Sequence, residues 1–165
     1  MSSATQINWI NPQSGLRLAI SPRPPGGDRL DEELSDWKAR GVDIVVSLLD
    51  ATEEHELMLT NEATGCRAVD IEFISFPIAD RGVPESFAAT EKMTRRLLSG
   101  LQAKKGVVIH CRIGIGRSAL VAASVLTLAG VGVDDAFSQI SRARGVPVPD
   151  TEAQREWVLK FRASV

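Results

Sequence analysis

Cysteine and histidine are scarce in this chain, with two of each in 165 residues. Cys66 and Cys111 cannot build the disulfide framework of a small secreted scaffold, and no closely spaced Cys or His pair offers a zinc site. A reducing, cytoplasmic setting is expected, with no metal and no cofactor. Neither sign of charge is in excess: 19 Lys and Arg stand against 21 Asp and Glu, a net charge of −2. No general attraction to nucleic acid or to an anionic membrane follows, and any basic site must be local. Long apolar runs are also missing. The longest apolar helical stretch, around Ala119 to Ala129, falls well short of the ~20 residues a bilayer span needs. Being apolar nearly all round, it reads as a buried central helix. The start, Met1-Ser2-Ser3-Ala4-Thr5-Gln6, has neither a basic nor an apolar region, so no signal peptide is expected. Internal repeats and low-complexity tracts are lacking too.

The 44% hydrophobic content and the length suit one domain over residues 1–165, with 1–15 expected as a loosely ordered N-terminal segment. Leu16 to Ile20 alternates as a first strand, and the loop Ser21 to Gly27 holds three prolines. Asp28 or Asp31 is placed to cap a helix to about Arg40, and Gly41 ends it. Val42 to Leu49 is a β-branched central strand. Asp50-Ala51-Thr52-Glu53 has capping-box spacing for a helix through Leu57 and Leu59. Val69 to Ile78 reads as another strand and Pro77 to Pro84 as a loop. Pro84 suits the first position of a long helix carrying Phe87, Thr90, Thr94, Leu97, Leu98 and Leu101. Gly106-Val107-Val108-Ile109 reads as a buried strand. Two more helices follow the apolar one, the last opened by Asp150 or Thr151 with Trp157, Val158 and Phe161 inward. This alternation predicts an α/β fold, a central mostly parallel sheet flanked by helices on both faces.

The stretch His110-Cys111-Arg112-Ile113-Gly114-Ile115-Gly116-Arg117-Ser118 joins the Gly106 strand to the apolar helix. Gly114 and Gly116 let such a loop curl with successive backbone amides inward. With the positive end of the helix, that nest suits phosphate or another oxyanion. A thiol at its foot is stabilised as thiolate, so the Cys111 pKa is expected to fall from near 8.5 toward roughly 3.5–7.5. Five residues on, Arg117 can return over the sulfur, and its planar fork can hold two phosphoryl oxygens together.

His-Cys, five residues, Arg-Ser resembles the signature of the cysteine-dependent protein tyrosine phosphatase superfamily. His-Cys-x-x-Gly-x-Gly-Arg-Ser is most similar to its dual-specificity and kinase-associated branch, over roughly Asp43 to Val165. The resemblance implies a phosphatase that works through a phosphocysteine intermediate, with His110 to Arg117 binding the phosphate of a phosphoprotein or phosphopeptide substrate. It implies that His110 buttresses the loop rather than acting as a base. Thiolate attack on a phosphomonoester needs a proton donor for the leaving oxygen. Asp80, in Pro77-Ile78-Ala79-Asp80-Arg81-Gly82-Val83-Pro84, stands where family members carry that acid; its other reading is an Asx-turn. Ser118 can donate to the sulfur and also suits the helix N-cap. Gln154 shares the inward face of Trp157, Val158 and Phe161, and the resemblance implies that it orients the hydrolytic water. Bonding to backbone is its alternative.

His55 reads as a solvated helix position and Cys66 as a buried apolar thiol. Glu91 stands four residues before Arg95, a helical ion-pair spacing. Arg112 is expected to point outward and favour an acidic substrate rim. The resulting expectation is a metal-independent protein phosphatase acting on phosphotyrosine, with phosphoserine and phosphothreonine as further substrates. A phosphoinositide or other small-molecule phosphatase could use the same loop. A phospho-binding module would lack the nucleophile or the acid, and an arsenate reductase would need Cys66 as resolving thiol.

Overall fold

The computed structural model describes residues 4–165. Among them, β1 (Asn8–Trp9), β2 (Leu18–Ser21), β3 (Ile44–Ser47), β4 (Glu72–Ser75) and β5 (Val107–His110) form one sheet in the order β1-β2-β5-β3-β4. Strands β2, β5, β3 and β4 run parallel, and β1 pairs antiparallel with β2 at the edge. The helices are α1 (Leu30–Ala39), α2 (Ala51–Glu56), α3 (Glu62–Ala68), α4 (Phe87–Gln102), α5 (Arg117–Leu128), α6 (Val133–Arg144) and α7 (Glu152–Ser164). No helix of the described residues is long and apolar enough to cross a membrane.

Successive side chains of a strand point to opposite faces, and the central strands here are apolar on both. Leu18, Ile20, Ile44, Val46, Val107 and Ile109 pack under α4, α5, α6 and α7. Ala19, Val45 and Val108 face the other way, onto Leu34 and Trp37 of α1 and Cys66 of α3. The α/β sandwich is therefore the architecture expected. Helix α5 lies in the middle of the larger core, buried on nearly every side from Arg117 to Thr127. Buried Leu120, Val121, Val125 and Leu126 each contribute on the order of 1.5–3 kcal/mol of hydrophobic burial.

Several boundaries differ from the expectations. The segment 1–15 is not loosely ordered where it is described: Asn8 and Trp9 form the edge strand, and the Ile10 amide bonds to the Leu18 carbonyl. Neither Asp28 nor Asp31 caps α1, which grows out of a 3-10 turn at Gly27–Arg29 without a side-chain cap. The Asp50–Glu53 capping box is present, but its helix stops at Glu56, and α3 follows as a separate helix. Seven residues containing a glycine are too few to carry a legible periodicity. Strand β4 is shorter than Val69 to Ile78, because Val69 closes α3 and Asp70 turns the chain at φ 61°. Pro84 stays in the loop; α4 starts at Phe87, capped by Ser86, whose Oγ accepts from the Ala89 amide at 3.0 Å. Thr151, not Asp150, caps α7.

Candidate active site

Parallel strands end together, so the segments leaving β2, β3, β4 and β5 gather at one edge of the sheet. The loop 111–116 leaves β5 at its centre. Gly114 has φ 74°, and a Cβ there would stand 2.7 Å from the Pro22 nitrogen and the Ser21 carbonyl carbon. Only glycine fits that close an approach at a left-handed φ. Three of the loop's carbonyls are engaged by neighbouring segments. Arg112 O accepts from the Arg23 amide at 3.2 Å, while Arg144 at the end of α6 donates to Gly114 O at 3.0 Å and Ile113 O at 3.1 Å. In a trans peptide the following N–H points opposite to the carbonyl. The amides of Ile113, Gly114 and Ile115 therefore face the concave side, as an oxyanion cradle requires. Ile113 itself stands exposed at the rim, near the half-exposed Arg112, whose guanidinium is 3.8 Å from Glu53 and Glu56.

Cys111 sits at the foot of the loop, 2% exposed, with Sγ 3.3 Å from Ser118 Oγ. Ser118 is not the helix N-cap: Gly116 occupies that place, and Ser118 lies one residue inside α5. Its hydroxyl is thereby free to serve the sulfur, donating to it when the thiol is ionised. Gly116 is hemmed in by Asp150 Cβ and by the Gln154 amide, 3.0 Å from any Cβ placed there.

Arg117 is equally buried. Its Nη1 and Nη2 donate to the two oxygens of Glu53 at 2.7 and 2.9 Å, a bidentate pair, and Nη1 also donates to Ile78 O at 2.9 Å. Nη2 reaches Asp80 Oδ1 at 3.2 Å. Burial works against the guanidinium charge, but the bonds to Glu53 and the charges of Cys111, Glu53 and Asp80 raise its pKa further. Burial likewise pushes the Glu53 carboxyl up, yet the Arg117 bonds, the Asp50 amide and the charges of Arg117 and Arg112 hold it below the usual carboxylate range. Both partners stay ionised. Glu53 thus does two jobs, closing the capping box through the Asp50 amide and aligning the arginine.

Asp80 is largely solvent-facing, with 63% of its side chain exposed. Its loop is docked at both ends. Ile78 bonds to Leu48 and to Arg117, and Gly82 closes a turn onto Ala79. Arg81 pairs with Asp150 at 3.1 Å, and Gln154 Nε2 donates to Gly82 O at 3.1 Å. Gln154 Oε1 accepts from the Asp150 and Thr151 amides. This buried glutamine therefore bonds to backbone and wedges between the loop 111–116 and the Asp80 loop.

Along β5 the side chains alternate, so His110 faces away from the Cys111 pocket. Its Nδ1 is 3.3 Å from Cys111 O and its Nε2 2.7 Å from Glu62 Oε2. Cys66 packs in the core on that same far side, while Cys111 belongs to the core on the opposite side of the sheet. Burial, and then the Glu62 charge, push the Cys66 thiol up to about 12. Cys111, Arg117, Asp80, Ser118 and Gln154 come together from three segments; Glu53, Glu62 and Arg144 complete the frame. For Glu53 the capping box was the only sequence signal, for Arg144 the helix end, and for Glu62 there was none.

Residues 41–163 match the model of the dual specificity phosphatase catalytic domain. A protein of Invertebrate iridescent virus 6 whose name marks it as a candidate tyrosine phosphatase, 197R, is 41% identical over 58 residues. That stretch covers 33% of this chain and 22% of the viral protein. The crystal structure of kinase associated phosphatase with its catalytic-site cysteine replaced by serine is similar with a TM-score of 0.88 at 21% identity, covering 99% of this chain and 97% of that one. Tk-PTP in its active form is similar with a TM-score of 0.79 at 25% identity, covering 96% and 97%. This chain belongs to the dual specificity phosphatase catalytic domain family.

Proposed function

We propose that this protein hydrolyses phosphomonoesters of proteins, phosphotyrosine foremost and phosphoserine and phosphothreonine with it, through a phosphocysteine intermediate. The observation that carries this reading is the convergence on one cup: Cys111 beside Ser118, Arg117 held in place by Glu53, and Asp80 within 3.2 Å of that arginine. The Cys111 thiolate attacks phosphorus as Asp80 gives its proton to the leaving oxygen. The loop amides and Arg117 bind the charge on the equatorial oxygens. Arg117 already spans from Glu53 to Asp80, so a bound phosphoryl group meets a preset guanidinium. Asp80, now a base, takes a proton from the water that splits the phosphocysteine. Gln154 commits Oε1 and one Nε2 hydrogen to backbone, and its second Nε2 hydrogen is what it offers to orient that water. Ser118 donates to the departing sulfur. The 165 residues act as one catalytic domain, and a free nucleophilic thiol suits a reducing cytoplasm.

Hydrolysis of p-nitrophenyl phosphate in chelator tests this. Cys111→Ser is expected to abolish turnover while vanadate or phosphate still binds. Asp80→Asn is expected to slow an alkyl phosphate more than an aryl one, because the poorer leaving group depends more on the proton. Metal-dependent turnover surviving in Cys111→Ser would refute the mechanism. Phosphopeptides turned over faster than soluble phosphoinositides support a protein substrate; the reverse order removes it.

A further inference from the structure

Glu62 is 1% exposed, and its Oε1 has no hydrogen-bond partner among the described residues. Its Oε2 meets His110 Nε2 at 2.7 Å, too close for two lone pairs, so a proton lies between them. The other ring nitrogen, Nδ1, faces a backbone carbonyl, which can only accept. Nδ1 must therefore carry a proton as well. Whether the shared proton sits nearer the ring or the carboxylate, the pair as a whole is neutral, and the bare Oε1 costs least in that state. Pinning Cys111 O from below turns the next amide, that of Arg112, toward the opposite side, where the loop is concave. His110 thus does at the start of the loop what Arg23 and Arg144 do further along it.

We propose that Glu62 is a positioning residue for the nucleophile: by sharing a proton with His110 Nε2 it fixes the tautomer whose Nδ1–H holds the Cys111 carbonyl and aims the loop's first amide. The inference rests on Cys111 being the nucleophile and goes beyond the family signature, which ends at His110. Other groups face the pair from each neighbouring element. Glu54 on α2 has its carboxyl raised by burial and then by the Glu62 charge, with Asp50 adding to the rise and His110 opposing it. Cys66 on α3 stays a neutral thiol, Trp37 on α1 offers a ring edge 6.4 Å from His110, and Asp31 lies near Gly65. None of these offers Nε2 a substitute for the Glu62 oxygen.

The test reads thiolate formation directly, from the pH dependence of Cys111 alkylation by iodoacetamide, with kcat/KM for p-nitrophenyl phosphate alongside. Alkylation needs no turnover, so its result stands apart from the fate of the phosphatase reading. Glu62→Met keeps the bulk and loses the shared proton; the thiolate limb is expected to rise by about one pH unit, a tenfold loss of alkylation rate below it. Glu62→Gln can donate from its amide to Nε2 and is expected to restore the limb. In a His110→Asn background, Glu62→Met is expected to add nothing. An unmoved limb in Glu62→Met, an equal shift in Glu62→Gln, or a further shift on His110→Asn overturns the proposal. Should Glu62→Met fail to fold, ¹⁵N spectra of the wild-type His110 ring decide: Nδ1 protonated throughout the active pH range upholds the assignment, and Nδ1 unprotonated ends it.

Discussion

Replacing Glu53 by glutamine isolates what the buried carboxylate does for Arg117. The shape is kept and one charge is lost. Of the two bonds at 2.7 and 2.9 Å, the amide oxygen can preserve one, while the amide nitrogen confronts a guanidinium donor. Removing one partner of a buried ion pair costs about 3–5 kcal/mol when the other charge is stranded. Arg117 is not fully stranded, since Ile78 O and Asp80 still accept from it. The expected loss of stability at neutral pH is therefore smaller, about 2–3 kcal/mol.

The pH dependence separates this from a packing defect. The Glu53 carboxyl is held below its ordinary range in the folded protein, against the opposing push of burial. A depressed carboxylate contributes stability that is fully present above its unfolded value, about 4.3. That contribution fades as pH falls through the lower folded value. Glutamine does not titrate, so urea unfolding of wild type and Glu53→Gln should converge as the buffer is made more acid. A stability gap that stays constant from pH 7 to about pH 3 would refute the assignment of the loss to the ion pair. The same variant, assayed on p-nitrophenyl phosphate, should lose about tenfold or more in kcat/KM, because Arg117 is no longer held in line. Unchanged kcat/KM beside the lost stability would mean that the phosphate loop orients Arg117 unaided.

Gly114→Ala should cost about 1–2 kcal/mol from the left-handed backbone alone. Activity should fall further, since the new Cβ must displace the Ser21–Pro22 backbone 2.7 Å away; wild-type activity in this variant would contradict the loop geometry. Cys66→Ala should retain turnover, because Cys66 lies on the far side of the sheet from Cys111; loss of turnover in a folded protein would bring back a resolving-thiol mechanism. Iodoacetamide near neutral pH should leave Cys66 unmodified, its thiol being pushed up to about 12; mass spectrometry of tryptic peptides checks this.

The loop 111–116 was legible because its residues are contiguous: strand, cysteine, two glycines, arginine and helix follow one another, and local spacing fixes where each can reach. The sheet was legible for a related reason, as Val45, Val46, Val108 and Ile109 are apolar on both faces and admit few other readings. Strand and helix ends were less so. Ser86 and Pro84 compete as starting points for α4, and propensity ranks proline at N1 highly, yet the side-chain bond to the Ala89 amide decides for Ser86. The counter-charges were hidden altogether. Glu53 and Arg117 stand 64 residues apart, His110 and Glu62 48, and nothing in local pattern reports a partner at that range.

The topology nonetheless explains why carboxylates were bound to arrive. With β3, β4 and β5 parallel, whatever follows each strand emerges at the same edge: α2 with Glu53 after β3, the Asp80 loop after β4 and Cys111 after β5. Gathering a buried guanidinium there leaves a cation out of water, which is costly unless an anion accompanies it; α2, packed beside the loop, supplies it. Alternation along β5 then sends Cys111 and His110 to opposite sides, so the imidazole needs its own partner in the other core, and α3 supplies Glu62. The cup is thus built on two buried carboxylates of unlike kind. Glu53 answers a fixed positive charge, and its contribution stands through the neutral range and is lost in acid. Glu62 shares a proton with His110 Nε2 and answers a tautomer rather than a fixed charge. A stability gap between wild type and Glu53→Gln that opens only above neutrality would refute the ion-pair role of Glu53.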